Sequence, residues 1–169
     1  MMPTGSAESR GAQMGALRVL QTELLQDPST KALLEEAEAS PPEGVMAQKN
    51  LVAMRRAWIH GASLPVRLVE AHAKAISASE MRWRSARADD DFAAWAPHLA
   101  DLLGLTREIA DAKAAVLKTS AYDALLDEYE PGGRSERLDP LFATLARELP
   151  PLLDRVIERQ ASWPNVEPR

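Results

Sequence analysis

Nowhere along this chain do apolar and polar residues alternate with a period of two; apolar positions recur every three or four residues instead. That property excludes half-buried strands and leaves the helix as the means of burying a face. Alanine and leucine are abundant while aromatic and β-branched residues are sparse, in keeping with helix propensity. At 169 residues the chain is long enough for one domain with a sizeable core. The expected class is all-α, an antiparallel helical array of about six to eight helices in a single domain, 1–169.

Prolines, glycines and capping residues divide the chain. Ser6 is placed to cap a first helix, with Glu8 in its first turn and Met14, Leu17, Leu20 and Leu24 as its apolar stripe. Asp27-Pro28 opens a short helix through Glu38, and "SPPEG" (Ser40 to Gly44) is a turn. Ala47, Leu51, Met54 and Trp58 recur at helical spacing, with Gly61 as a stop. Ser63, Leu64 and Pro65 start a helix to about Ala88, on which Val69, Ile76 and Trp83 share a face while Arg67, Glu70 and Lys74 lie opposite. "DDDF" (Asp89 to Phe92) is an acidic helix start. Pro97 opens a further helix whose stripe is Leu99, Leu102, Leu103, Thr106, Ile109 and Ala110, with Asp101, Arg107, Glu108 and Asp111 outside it. A short helix within "YDALLDEYEPGG" (Tyr122 to Gly133) breaks at Glu130-Pro131-Gly132-Gly133. The last helix starts at Ser135 or Asp139, and Pro150-Pro151 is expected to kink or interrupt it. The tail 162–169 reads as frayed.

A net charge of −5 argues against a general nucleic-acid binder, which needs a positive contact face. The absence of cysteine excludes disulfides, thiolate nucleophiles and Cys-ligated zinc. No run of eighteen apolar residues and no apolar leader core occur, so the expectation is a soluble, cytoplasmic chain without a membrane partner.

Candidate sites are few. His60, His72 and His98 are the only histidines. None is followed by glutamate, so H-E-x-x-H is absent, as is any histidine pair at i and i+4. His60, just before Gly61, is expected to meet terminal carbonyls. Asp123 and Asp127 share a helix face and could hold a hard cation, but the alternating acids around a glycine that a calcium loop needs are missing. The structural reading has Asp123 near a helix N-terminus, Leu125 and Leu126 inward, Tyr122 and Tyr129 as amphipathic wedges, and the acids capping and solvating. The competing reading is an unfamiliar helical active site on Tyr122, Asp123 and Glu130. Glu130 must leave the helical region because Pro131 crowds it. Arg82, Arg84 and Arg87 around Trp83 suggest a phosphate or nucleic acid, but the three aspartates that follow cancel the field and favour local ion pairs. No G-x-S-x-G, G-x-x-x-x-G-K-[ST] or G-x-G-x-x-G motif is present.

The string "YDALLDEYEPG" closely resembles a segment of the carboxypeptidase Taq family of zinc metallocarboxypeptidases. "MPTGSAESRGAQ" (Met2 to Gln13) resembles the family's M-P-x-G-x-A-x-x-R segment, and Leu64-Pro65 its helix-opening Leu-Pro. Trp83, Ala86, Arg87, Asp91 and Phe92 match W-x-x-A-R…D-F, and Pro97 with Leu99 the following P-x-L. Leu138, Phe142, Leu145, Leu149, Pro151 and Leu152 resemble the helix after the Glu-Pro-Gly turn, so the likeness runs over 3–153. The signature residues Trp83, Arg87, Asp91, Phe92, Tyr122, Asp123, Glu130, Pro131 and Gly132 are structural ones. The resemblance implies an all-α fold, of which this is the N-terminal part, and a tendency to homodimers. It also implies an activity, release of C-terminal residues from peptides, that depends on zinc or another divalent metal. The H-E-x-x-H and later glutamate that hold the metal lie C-terminal to the matched region. No catalytic or metal residue therefore carries over, and no cofactor is expected in this chain. The leading expectation is the N-terminal region of a metallocarboxypeptidase-like protein, not catalytic alone, partnered by itself or by the missing catalytic portion. The alternative is a free-standing interaction or dimerisation module derived from that family.

Overall fold

The computed structural model describes residues 7–163, and among these it contains seven helices and no strand. They are α1 (Ala7–Gln26), α2 (Pro28–Ala39), α3 (Val45–Ala62), α4 (Val66–Ala88), α5 (Phe92–Leu117), α6 (Ala121–Tyr129) and α7 (Ser135–Ala161). Ser6, the Glu8 side chain and the tail beyond Trp163 lie outside the described residues.

Local chemistry sets the starts. Asp27 accepts a hydrogen bond from Ser29 N, and Pro28 occupies the first position of α2. Asp91 accepts from Ala94 N at the head of α5, and Ser120 accepts from Asp123 N at the head of α6. Lys118 ends α5 in the left-handed region, at φ 54°.

α4 is the centre, with α1 packed along one side and α5 along the other; α6 lies on α5, and α2 and α3 lean on α1. The buried apolar set is Leu34, Leu68, Ala86, Ile109, Ala110 and Ala124. Two indole N–H groups pin the layers: Trp58 donates to the Leu25 carbonyl at 2.8 Å, and Trp95 to Ser79 Oγ at 3.0 Å.

Several expectations are corrected. The α1 stripe of Met14, Leu17, Leu20 and Leu24 is exposed; Gly11 and Gly15 lie against α4 instead, and Thr22 is buried. A Cβ at Gly11 would stand 3.2 Å from Ser77 Cβ, so small residues let the two helices approach closely. On α4 the buried positions are Leu68, Ser79 and Ala86, while Ile76 and Trp83 stay partly exposed, at 44% and 39%. Gly61 does not stop α3, which runs to Ala62; it faces Leu25, whose Cδ1 would lie 2.3 Å from an added Cβ. Pro97 sits inside α5, since the Asp91 cap starts the helix five residues earlier than the proline expectation. α7 begins at Ser135 and continues through Pro140, Pro150 and Pro151 without interruption. Nor does it fold back on the body: every residue from Asp139 to Trp163 is exposed.

Candidate functional site

Of the four acids in the opening of the α6–α7 corner, two are buried and two are not. Asp123 and Asp127 are 7% and 6% exposed, whereas Glu128 and Glu130 face solvent. The acids were expected to cap and solvate; the pair on the inner face of α6 is buried and accepts backbone N–H groups, so capping holds for it and solvation does not.

Asp123 works in two directions. Its backbone N–H donates to Ser120 Oγ at 3.0 Å, and its Oδ1 accepts from Ser135 N at 2.8 Å, satisfying a free donor in the first turn of α7. That bond from Ser135 is the main reason its carboxyl lies below the ordinary value of 3.8.

Asp127 is the hub. Oδ2 lies 2.9 Å from His60 Nε2 and 3.4 Å from Arg56 Nε; Oδ1 accepts from Gly132 N at 3.0 Å and from Arg134 Nη1 at 3.2 Å. Burial pushes its carboxyl up, but the bonds from His60, Gly132 and Arg134 and the charge of Arg56 outweigh burial and lower it to about 2. One side chain thus ties α3 to α6 and to the corner ahead of α7. His60 meets this carboxylate rather than helix-end carbonyls, which corrects the sequence expectation.

Beside the hub, buried Lys113 of α5 contacts Glu128. Burial, and then the charge of Arg56, push the Lys113 ammonium down. His60 Nδ1 is 4.0 Å from Glu128 Oε1. Arg56 Nε and Nη2 and His60 Nδ1 are buried without a hydrogen-bond partner among the described residues. The cluster is richer in donors than in acceptors.

That balance bears on metal binding. The carboxylates near a histidine, Asp127 and Glu128, are already engaged by Arg56, Arg134 and Lys113. A divalent cation there would face three fixed positive charges. The residues do not fit the metal that the resemblance implies, and among the described residues no group of three or more His, Asp or Glu side chains is placed to hold one.

The remaining signature residues shape helix ends. Arg87 stacks over the Trp83 ring at 5.5 Å. Phe92, 65% exposed, meets Trp95 edge-on at 6.0 Å. Glu130 adopts an extended conformation (φ −126°, ψ 97°) ahead of Pro131, and Gly132 takes φ 76°, which a residue with a Cβ rarely adopts. Tyr122 and Tyr129 are exposed, at 69% and 88%, rather than wedged. The structure does not bring Tyr122 and Glu130 to Asp123 as partners of a catalytic centre. In the basic cluster, Arg84 pairs with Glu80 of its own helix and Arg82 donates to the Ala94 carbonyl. Arg56, Lys113 and the His60–Asp127 contact went unread in the sequence, because partners 67 residues apart leave no local spacing signal.

The family model described as Carboxypeptidase Taq (M32) metallopeptidase matches residues 1–167. Thermostable carboxypeptidase 1 of Thermus thermophilus is 36% identical, over 93% of this chain and 33% of the relative. Thermostable carboxypeptidase 1 of Pyrococcus furiosus is 29% identical, over 93% of this chain and 31% of the relative. Among solved structures, the Trypanosoma cruzi metallocarboxypeptidase 1 superposes with a TM-score of 0.79 at 35% identity, covering 100% of this chain and 34% of that one. The chain spans about a third of the length of the relatives that it matches.

Proposed function

Because the chain belongs to the carboxypeptidase Taq family of metallopeptidases, we propose that it forms a supporting helical wall of a metallocarboxypeptidase and does not hydrolyse peptides alone. The metal and its activated water then come from a polypeptide corresponding to the part of the relatives that this chain does not span. The wall supplies a rigid face, α4 between α1 and α5, with the Asp127 hub fixing the angle at which α7 leaves it.

One observation carries this reading. The chain exposes 12640 Å², whereas a compact monomer of its 18.5 kDa exposes roughly 8200 Å². Among the exposed large apolar side chains is a stripe of Leu141, Phe142, Leu145, Leu149, Leu152, Val156 and Ile157 on α7. Surface of that kind is built to be covered.

The test is complementation. The chain is co-expressed with a polypeptide spanning the remaining two thirds of the Thermus thermophilus relative, and release of the C-terminal residue from a blocked dipeptide is followed. Chelator-sensitive release by the pair, and none by either part, is the expected result. Release by this chain alone refutes the proposal.

A second reading rests on the same stripe: Leu138, Phe142, Leu145, Leu149, Leu152 and Val156 recur with alternating steps of four and three, the spacing of a helix–helix seam. A second copy of the chain then covers α7, and solution mass separates the two. A stable dimer that persists beside the complementing polypeptide favours the homodimeric module.

A further inference from the structure

Adjoining the α6–α7 corner, and sharing Lys113 and Glu128 with it, a cleft of about 710 Å³ lies where α1, α4, α5 and α6 meet. That volume is in the range of sites for small organic ligands. Its lining has two characters. Val69, Ile76, Ile109 and Leu125 give it an apolar wall, while Arg10 and Arg18 of α1, His72 of α4 and Lys113 of α5 bring positive or donor groups.

The charges do not cancel within the cleft. Its two acids are both engaged: Glu80 pairs with Arg84, and Glu128 contacts Lys113. Arg10 and Arg18 have no side-chain partner among the described residues, although the chain as a whole carries an excess of acids. His72 senses the imbalance. Burial, then the charges of Lys113 and Arg18, hold its imidazole below the ordinary 6.5. Lys113 and Arg18 therefore act on the same imidazole from two different helices. Arginine beside a neutral imidazole, over an apolar wall, is suited to a planar anion that carries a hydrocarbon body.

We propose that this cleft binds an organic monocarboxylate with an apolar body, its carboxylate held by Arg18 and His72 with Arg10 at the mouth, and its body laid on Val69, Ile109 and Leu125. The site is separate from the peptide hydrolysis of the preceding reading and does not depend on it. A purely apolar ligand leaves the arginines without a partner, and a small inorganic anion leaves the apolar wall uncovered.

The test is calorimetric titration of the full chain with 3-phenylpropionate, against 3-phenylpropanamide (same body, no charge) and acetate (same charge, no body). Saturable binding of the acid is expected, with the amide and acetate at least about tenfold weaker, as loss of one charge-assisted contact implies. Arg18→Gln and, as a second variant, Arg10→Gln are expected to weaken the acid, Arg18→Gln by about tenfold. Arg147→Gln on α7 serves as the control and leaves binding unchanged. Both cleft arginines are exposed and make no internal bond, so far-UV circular dichroism should be unaltered in either variant. The proposal is overturned if the acid does not saturate, if the amide or acetate matches it, or if Arg18→Gln binds as the unsubstituted chain does.

Discussion

Asp127 shows how a single carboxylate can decide local architecture. It is buried and bonded to His60, Gly132 and Arg134 with Arg56 beside it, and its carboxyl is lowered from 3.8 to about 2. A lowered carboxyl contributes stability that is present above the unfolded value and lost as pH falls through the folded one. The window is therefore pH 4 to 2, and the contribution is about 2 kcal/mol. Denaturant titrations should show the chain losing that amount across this window, with a flatter profile for Asp127→Asn. At pH 7 the variant should be less stable by about 3 kcal/mol, because Arg56 and Arg134 lose their counter-charge. An unchanged acid limb in the variant would mean that the hub contributes nothing. The sequence showed Asp123 and Asp127 on one face, which was right, and their burial was invisible. Burial depended on His60 and Arg56 arriving from α3, and nothing in the spacing of α6 announces that.

At the scale of the elements, acidic helix starts and the Glu-Pro-Gly break were legible, whereas glycine stops, proline-marked ends and contact faces were not. Asp27-Pro28, Asp91 and the Glu130-Pro131-Gly132 break act through neighbours in sequence, so they could be read directly. The buried face of α1 could not, because leucines are expected to point inward and here glycines do. Gly11 and Gly15 lie against α4 while Leu17, Leu20 and Leu24 remain outside. If close approach is what α1 needs from Gly11, then Gly11→Val should lower the unfolding free energy by roughly 1–3 kcal/mol through overpacking against Ser77, measured by denaturant melts. Leu17→Ala should change it by less than about 0.5 kcal/mol, as an exposed site does. Equal losses would show that the two faces had been assigned the wrong way round. α7 makes the same point at greater length. Its leucines entered the sequence reading only as a family resemblance, and even a regular apolar spacing announces a face without saying what covers it. Leu145→Asp with Leu149→Asp should therefore leave the melting of the α1–α6 body unchanged while abolishing capture of the complementing polypeptide. A drop in the body's own stability would mean that the stripe already packs at home.

For the whole molecule, the all-α class and family followed from the sequence because the helical period and the "YDALLDEYEPG" string are both local signals. The surplus surface was not readable, since it belongs to the arrangement of helices and not to any one of them. It explains how a chain with ordinary composition can carry so many exposed large apolar side chains. A supporting wall differs from an enzyme in whether the chain can itself hold a catalytic cation. The direct measurement is dialysis of the purified chain against zinc, followed by metal analysis and assay of blocked-dipeptide cleavage with and without chelator. No stoichiometric zinc and no chelator-sensitive release are predicted, because Asp127 and Glu128 are already taken by Arg56, Arg134 and Lys113. One zinc retained per chain, together with cleavage that a chelator abolishes, would contradict the supporting-wall proposal.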